Sequence, residues 1–290
     1  MASTTLAKTI TDKASIFLAD ASQTRWLPSE LLSWLNDGQS EICALVPNAN
    51  PSTATVVLVG GIKQAAPTDA LYVNGFIRNM GVGGTTGGGV IRQVTRSFLN
   101  SFIAGWASAA TSTVVSHIAY DPVDSNVDFY VYPPQPTSGP SSIEIVYSQV
   151  PTIIVANDTP VAATTIVAGK QYYIVTVGTT SWTNIGAASA TVGLLFTANS
   201  TTATGTGTVT LAPAITIKDI YANALLDYVL YRAFGKDSEY GNQSDRSQIH
   251  YKMFSQAIGI KYTIEKAENS GYGHNGEIKQ QQQQQANSPQ

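Results

Sequence analysis

Between Ala214 and Ile260 the chain carries more apolar residues than one helix face can hide. Ile217, Ile220, Tyr221, Ala224, Leu225, Tyr228, Tyr231 and Phe234 recur at three- and four-residue steps, while Leu226, Val229 and Leu230 fill a second side. A helix so patterned needs partners on more than one side. Thr216 stands where an N-cap belongs, Asp219 follows three residues on, and Gly235 comes after the last apolar residue as a left-handed stop. Ile249, Met253, Phe254, Ala257 and Ile258 then predict a second helix from Ser244 to Ile258, stopped by Gly259 and antiparallel to the first. A core hairpin of any α-containing domain carries this pattern, so it bears on architecture and leaves function open.

Two further helices are expected upstream. Leu6, Ile10, Ala14, Phe17 and Leu18 sit at helical steps between Leu6 and Ala19. Pro28 fits a first helical position, Glu30 lies in the first turn, and Leu31, Leu35, Gly38, Ile42 and Leu45 form a narrow seam that Pro47 ends. Gly38 within that seam lets a neighbour approach closely. The expected packing sets the hairpin on the Pro28 to Leu45 helix, with Trp26, Leu31, Trp34, Leu35, Leu225, Tyr228, Tyr231 and Phe254 as core or interface.

The middle of the chain reads differently. Ala54 to Val59 is β-branched and closes on Gly60-Gly61 as a strand, whereas Leu71, Val73, Phe76 and Ile77 give Pro67 to Asn79 a helical reading. The glycine-rich run from Gly81 to Gly89 lacks the lysine ending of a phosphate-binding loop and reads as a flexible connection. Thr113 to Tyr120, Asp128 to Tyr132 and Ser142 to Tyr147 alternate like strands of an antiparallel sheet. From Val161 to Thr210 charge almost vanishes, and Tyr172 to Val177, Phe196 to Ala198 and Thr206 to Thr210 read as strands of a small inserted β module. The expected fold is α+β: a helical bundle of N- and C-terminal helices, a small antiparallel β extension and the inserted module. Its domains are a discontinuous body at 1–160 and 211–260, the insert at 161–210, and a polar, glutamine-rich tail at 261–290 expected to be extended.

Chemistry is sparse. With 16 basic against 19 acidic residues the net charge is -3, and no Lys/Arg cluster gives the footprint of a nucleic-acid binder. Cys43 is the single cysteine, so no intramolecular disulfide can form, and its expected role is that of a small buried hydrophobe. His117, His250 and His274 have no partners at metal-ligand spacing, and no nucleophile elbow or zinc-protease motif occurs. We therefore expect no catalytic residue, metal or cofactor. No signal peptide or membrane span is read, so the product is expected to stay in the cytoplasm where it is made. Tyrosines crowd the stretch from Tyr221 to Tyr251, which suits an assembly surface.

Several strings carry a family resemblance. They are Arg25-Trp26, Glu30-Leu31-Leu32, Trp34-Leu35-Asn36-Asp37-Gly38-Gln39, Pro47, Gly61, Gln64, Pro67 and Asn79-Met80-Gly81. Tyr120-Asp121-Pro122, Phe129 to Pro134, Val146-Tyr147-Ser148, Pro151 and Asp219 to Ala233 follow in the same order. The series resembles the adaptor, or head-to-tail connector, proteins of short-tailed bacteriophages. Leu99-Asn100 stands where the family has Leu-Asp, Gly87-Gly88-Gly89 replaces a more polar loop, and the insert lies outside the core family. The insert itself resembles a small β module of unrelated phage structural proteins.

The resemblance implies a structural virion protein at the head-tail junction, assembled in the host cytoplasm as a dodecameric ring. Its implied partners are the portal protein and tail or nozzle proteins, with genomic DNA passing through without specific binding and no membrane contact. Tyr262, Ile264, Tyr272 and Ile278 are the large apolar side chains of the tail, so they are expected to anchor it on the portal, with Gln280 and Gln282 adding amide hydrogen bonds. Competing readings are a tail-associated glycan-binding or hydrolase component and a capsid decoration protein.

Overall fold

The computed structural model describes residues 4–122, 125, 127–155, 159–200, 203–236 and 243–268, with backbone only for 261–268. In chain order the helices are α1 (Ala7–Phe17), α2 (Pro28–Leu45), α3 (Arg96–Phe102), α4 (Ala222–Lys236) and α5 (Gln243–Glu268). The strands are β1 (Pro51–Val57), β2 (Gly61–Ala65), β3 (Ala70–Gly81), β4 (Arg92–Val94), β5 (His117–Ala119), β6 (Asp128–Gln135), β7 (Ser142–Gln149), β8 (Val161–Ala162), β9 (Gln171–Thr176), β10 (Leu195–Thr197) and β11 (Thr208–Leu211). Backbone proximity divides the described residues into two units, one of 4–39 with 152–261 and one of 40–151 with 262–268.

The class is mixed α+β, but the expected helical-bundle body is not what forms. Among the described residues eleven strands make three sheets, and apolar clusters sit on them: two in the second unit and one in the insert. The β portion is thus no small extension. Among the described residues the backbones of α1 and α4 run close together.

In the second unit, β7 lies at the centre of the order β1-β7-β3, antiparallel to both neighbours. A second sheet has the order β2-β6-β5-β4, its β4-β5 pair parallel. Phe129, Val131, Ile143 and Ile145 are buried between them in one cluster, and Leu99, Trp106 and Ala119 form a smaller one. The segment read as a helix, Pro67 to Asn79, is strand β3. Four register shifts against β7 give it an extra residue at nearly every step, so Ala70, Val73 and Asn79 are its buried positions. A burial step of three mimics a helical stripe.

In the first unit, the Ala7 amide donates to the Pro213 carbonyl and the Thr5 carbonyl accepts from the Ile215 amide, which seats α1 beside α4. Asp219 reaches the N-terminal segment. Its carboxylate accepts from the Thr4 and Thr5 amides and the Thr4 hydroxyl, and a short 3-10 turn at Asp219–Tyr221 precedes α4. Between α1 and α2 the Asp20 carboxylate gathers the amides of Thr24, Arg25 and Trp26. These bonds, the Trp26 amide first, hold its carboxyl below the usual range.

Both glycine stops expected in the hairpin are corrected. α4 runs through Gly235 to Lys236, and α5 through Gly259 to Glu268, so the backbone at 261–268 is helical where an extended tail was expected. The insert forms a sheet of order β10-β9-β11-β8 around Trp182, Phe196, Ile174 and Val209. Trp182 donates from Nε1 to the Val177 carbonyl at 2.9 Å, and its ring lies where a Cβ at Gly207 would have to go.

Candidate assembly interface

Several of the residues singled out from the sequence meet on α4. A Cβ on Gly38 would lie 2.9 Å from Tyr228 Cδ1 and 3.1 Å from Leu225 Cδ2, so the bare glycine is what lets α2 meet this helix. Trp26 Nε1 donates to the Ala233 carbonyl at 3.1 Å. Lys236 Nζ reaches Glu30 Oε1 at 2.7 Å and, with the Leu27 amide, holds the Glu30 carboxyl below its ordinary range. On the other side Tyr228 meets Phe254 with ring centroids 5.2 Å apart, Tyr231 meets Tyr251 at 5.0 Å, and Phe234 stacks on His250 at 5.6 Å. Partner numbers fall as α4 numbers rise, so α4 and α5 are antiparallel. Ser247 donates to the Tyr231 carbonyl, and His250 Nδ1 lies 3.0 Å from Asp227 Oδ1.

Trp26, Leu31, Leu35, Leu225, Tyr228 and Phe254 are buried, while Trp34 and Tyr231 are half-buried. The expected portal anchors Tyr262, Ile264, Tyr272, Ile278, Gln280 and Gln282 lie outside the described side chains.

The second face of α5 is exposed. Ser247, Phe254 and Ile258 are buried, but Ile249, Met253 and Ile260 are 56%, 48% and 63% exposed. At 100° per residue these last three share one stripe, set more than a quarter-turn from the buried one. Apolar residues in a helical row facing solvent offer a surface for another chain.

One polar device escaped the sequence reading. Asn36 Nδ2 donates to the Ile154 carbonyl at 2.8 Å while its Oδ1 accepts the Ile154 amide at 2.9 Å. Gln39, fully buried on the same helix, donates to Asn36 and accepts from both the amide and the hydroxyl of Thr216. Thr216 is therefore held by α2 instead of capping α4. Together the two side chains fasten the chain where it leaves for the insert and where it returns. The family string containing both residues was visible, but nothing in it pointed to partners so distant in sequence.

Among the described residues no three of His, Cys, Asp and Glu are placed to hold a metal. Cys43 is buried, and burial pushes its thiol up to about 12. A cleft of about 570 Å³ is lined by Lys8, Asp12 and Gln23 beside Tyr173 and Thr210. Its carboxylate, Asp12, is bound by Lys8 at 2.7 Å and faces no second acid among the described residues there. None of the described helices is long and apolar enough to cross a membrane.

With this arrangement in view, the family comparison is decisive. The model of the SU10 adaptor protein family matches residues 4–169 and 160–276. The chain belongs to the SU10 adaptor protein family. It is a tailed-phage adaptor and a structural protein. The two matched stretches overlap at 160–169, where the insert begins. No curated protein matches.

Proposed function

We propose that this chain is the head-to-tail adaptor of its virion, assembling as a ring that joins the portal to the tail machinery and continues the DNA channel. The family match across nearly the whole chain carries this reading. The solvent-facing stripe on α5 supplies apolar area for association. A net charge of -3 without basic clusters suits a channel wall that does not grip DNA. Residues 269–290, with Tyr272 and Ile278 as anchors and Gln280 and Gln282 as hydrogen-bonding groups, dock on the portal. Many identical tails on one ring then act at high effective concentration.

The test mixes the chain with purified portal and measures particle mass and the symmetry seen down the axis by electron microscopy. A dodecameric ring attached to the portal is expected, and removal of residues after Glu268 lowers attachment sharply while the ring persists. A chain that ignores the portal and binds the head surface would be a decoration protein. Full attachment of the shortened chain would move the joint away from the tail.

A further inference from the structure

Strand β1 presents a sheet edge that is open beyond Pro51, whose outward position carries no N–H. Gln149 donates to the Asn50 carbonyl and Leu58 donates to the Ser141 carbonyl, so the alternate residues between them, Ser52, Ala54 and Val56, face β7. Thr53, Thr55 and Val57 therefore turn their N–H and C=O groups to the open side, where they have no protein partner among the described residues. Their side chains are exposed too. The strand keeps unbroken register with β7 over its whole length and carries no charge.

Every other described edge is blunted in one of the ways that stop edge-to-edge pairing. β3 is bulged throughout, and its outer side is engaged: Asn79 exchanges backbone bonds with Gly88 and Gly89, and Val73 donates to the Tyr120 hydroxyl. β2 is bulged and carries Lys63. β4 and β10 have 3 residues each and β8 has 2.

We infer that the open edge of β1 receives an extended, uncharged strand from a different protein of the virion by β-augmentation. The inference rests on the adaptor reading for its choice of partner. A second copy is a poor occupant, because among the described residues its free edge of matching length is its own β1. Pairing β1 with β1 is two-fold and closes a dimer, whereas a ring needs head-to-tail contacts. The missing charge fits a neutral partner, since an acidic or basic segment finds no counter-ion along Pro51–Val57. Main-chain bonds at Thr53, Thr55 and Val57 supply the ladder, and their small exposed side chains admit a neighbour.

Thr55→Pro tests this directly. It removes one outward N–H and sets a ring on the open edge while leaving the bonds to β7 in place, and Thr55→Ala keeps the N–H as control. The variant is expected to form the wild-type ring and bind portal, yet its incorporation into completed particles falls about tenfold or more. A photo-crosslinker at position 55 in purified wild-type particles joins an extended segment of another virion protein. Complete particles from Thr55→Pro, or crosslinks to a second copy of this chain, would overturn the inference. Should the proline variant not fold, amide exchange of the wild-type chain decides: Thr53, Thr55 and Val57 are protected in particles and not in the free chain, or the inference fails. If the wild-type chain forms no ring, the adaptor reading fails instead.

Discussion

The sheet of β8 to β11 closes over Trp182, Phe196 and Val209 with a cluster drawn from residues 163–211, whereas α5 turns Phe254 and Ile258 to α4 and leaves Ile249, Met253 and Ile260 in solvent. The insert buries Tyr172, Trp182 and Phe196 within itself and leaves Val161, Val167, Val192 and Leu195 exposed. The helical hairpin holds some in reserve. Damage to the first should therefore show as local loss of structure, and damage to the exposed row of the second as loss of assembly without loss of structure.

The largest effect is expected from Trp182→Ala, at about 3 to 5 kcal/mol, confined to the inserted sheet. Amide exchange should quicken in β9 and β11 while α4 keeps its protection, and simultaneous loosening of α4 would break the comparison. Leu225→Ala should cost about 2 to 5 kcal/mol and lower the midpoint of the helical circular-dichroism signal. An unchanged midpoint would deny that α4 is central to its unit. Gly38→Ala is smaller, about 1 to 3 kcal/mol, because Tyr228 and Leu225 must give way to the added methyl. Smallest for stability is the pair Ile249→Ser with Met253→Ser, within about 0.5 kcal/mol of wild type. Its consequence should appear in particle mass, as smaller or absent rings, and normal rings would show that the row serves another contact.

How much of this was readable depended on whether neighbours in space were neighbours in sequence. α2 begins and ends as expected because Pro28, the seam through Leu35 and Ile42, and Pro47 are all local signals. Three of the four strands of the insert were legible for the same reason, since alternation in Tyr172 to Val177 needs no distant partner to be seen, while the two-residue β8 was not. β3 was misread because its bulges are imposed by pairing with β7, and they replace the two-residue period with steps of three. Gly235 was taken for a stop, but Ser247 Oγ lies 3.4 Å from where its Cβ would be, so the glycine serves the approach of α5. The bundle expectation failed through the same gap. Helical stripes announce themselves over a dozen residues, while the second unit's two sheets are joined from strands scattered between Pro51 and Gln149. Of the candidate interface, the aromatic row on α4 was legible, and the Asn36 and Gln39 clamp was not.

That clamp has an evolutionary corollary. Ile154 and Thr216 are both tethered to α2, so departure and return points stand side by side whatever the chain does in between. Lengthening an excursion whose ends are already held together costs little extra entropy, about 0.6 kcal/mol for each doubling of its length. A position of this kind behaves as a socket. Lineages can gain, exchange or discard a module there without renegotiating the framework around it, and variation in surface properties among related virions is expected to collect at that junction.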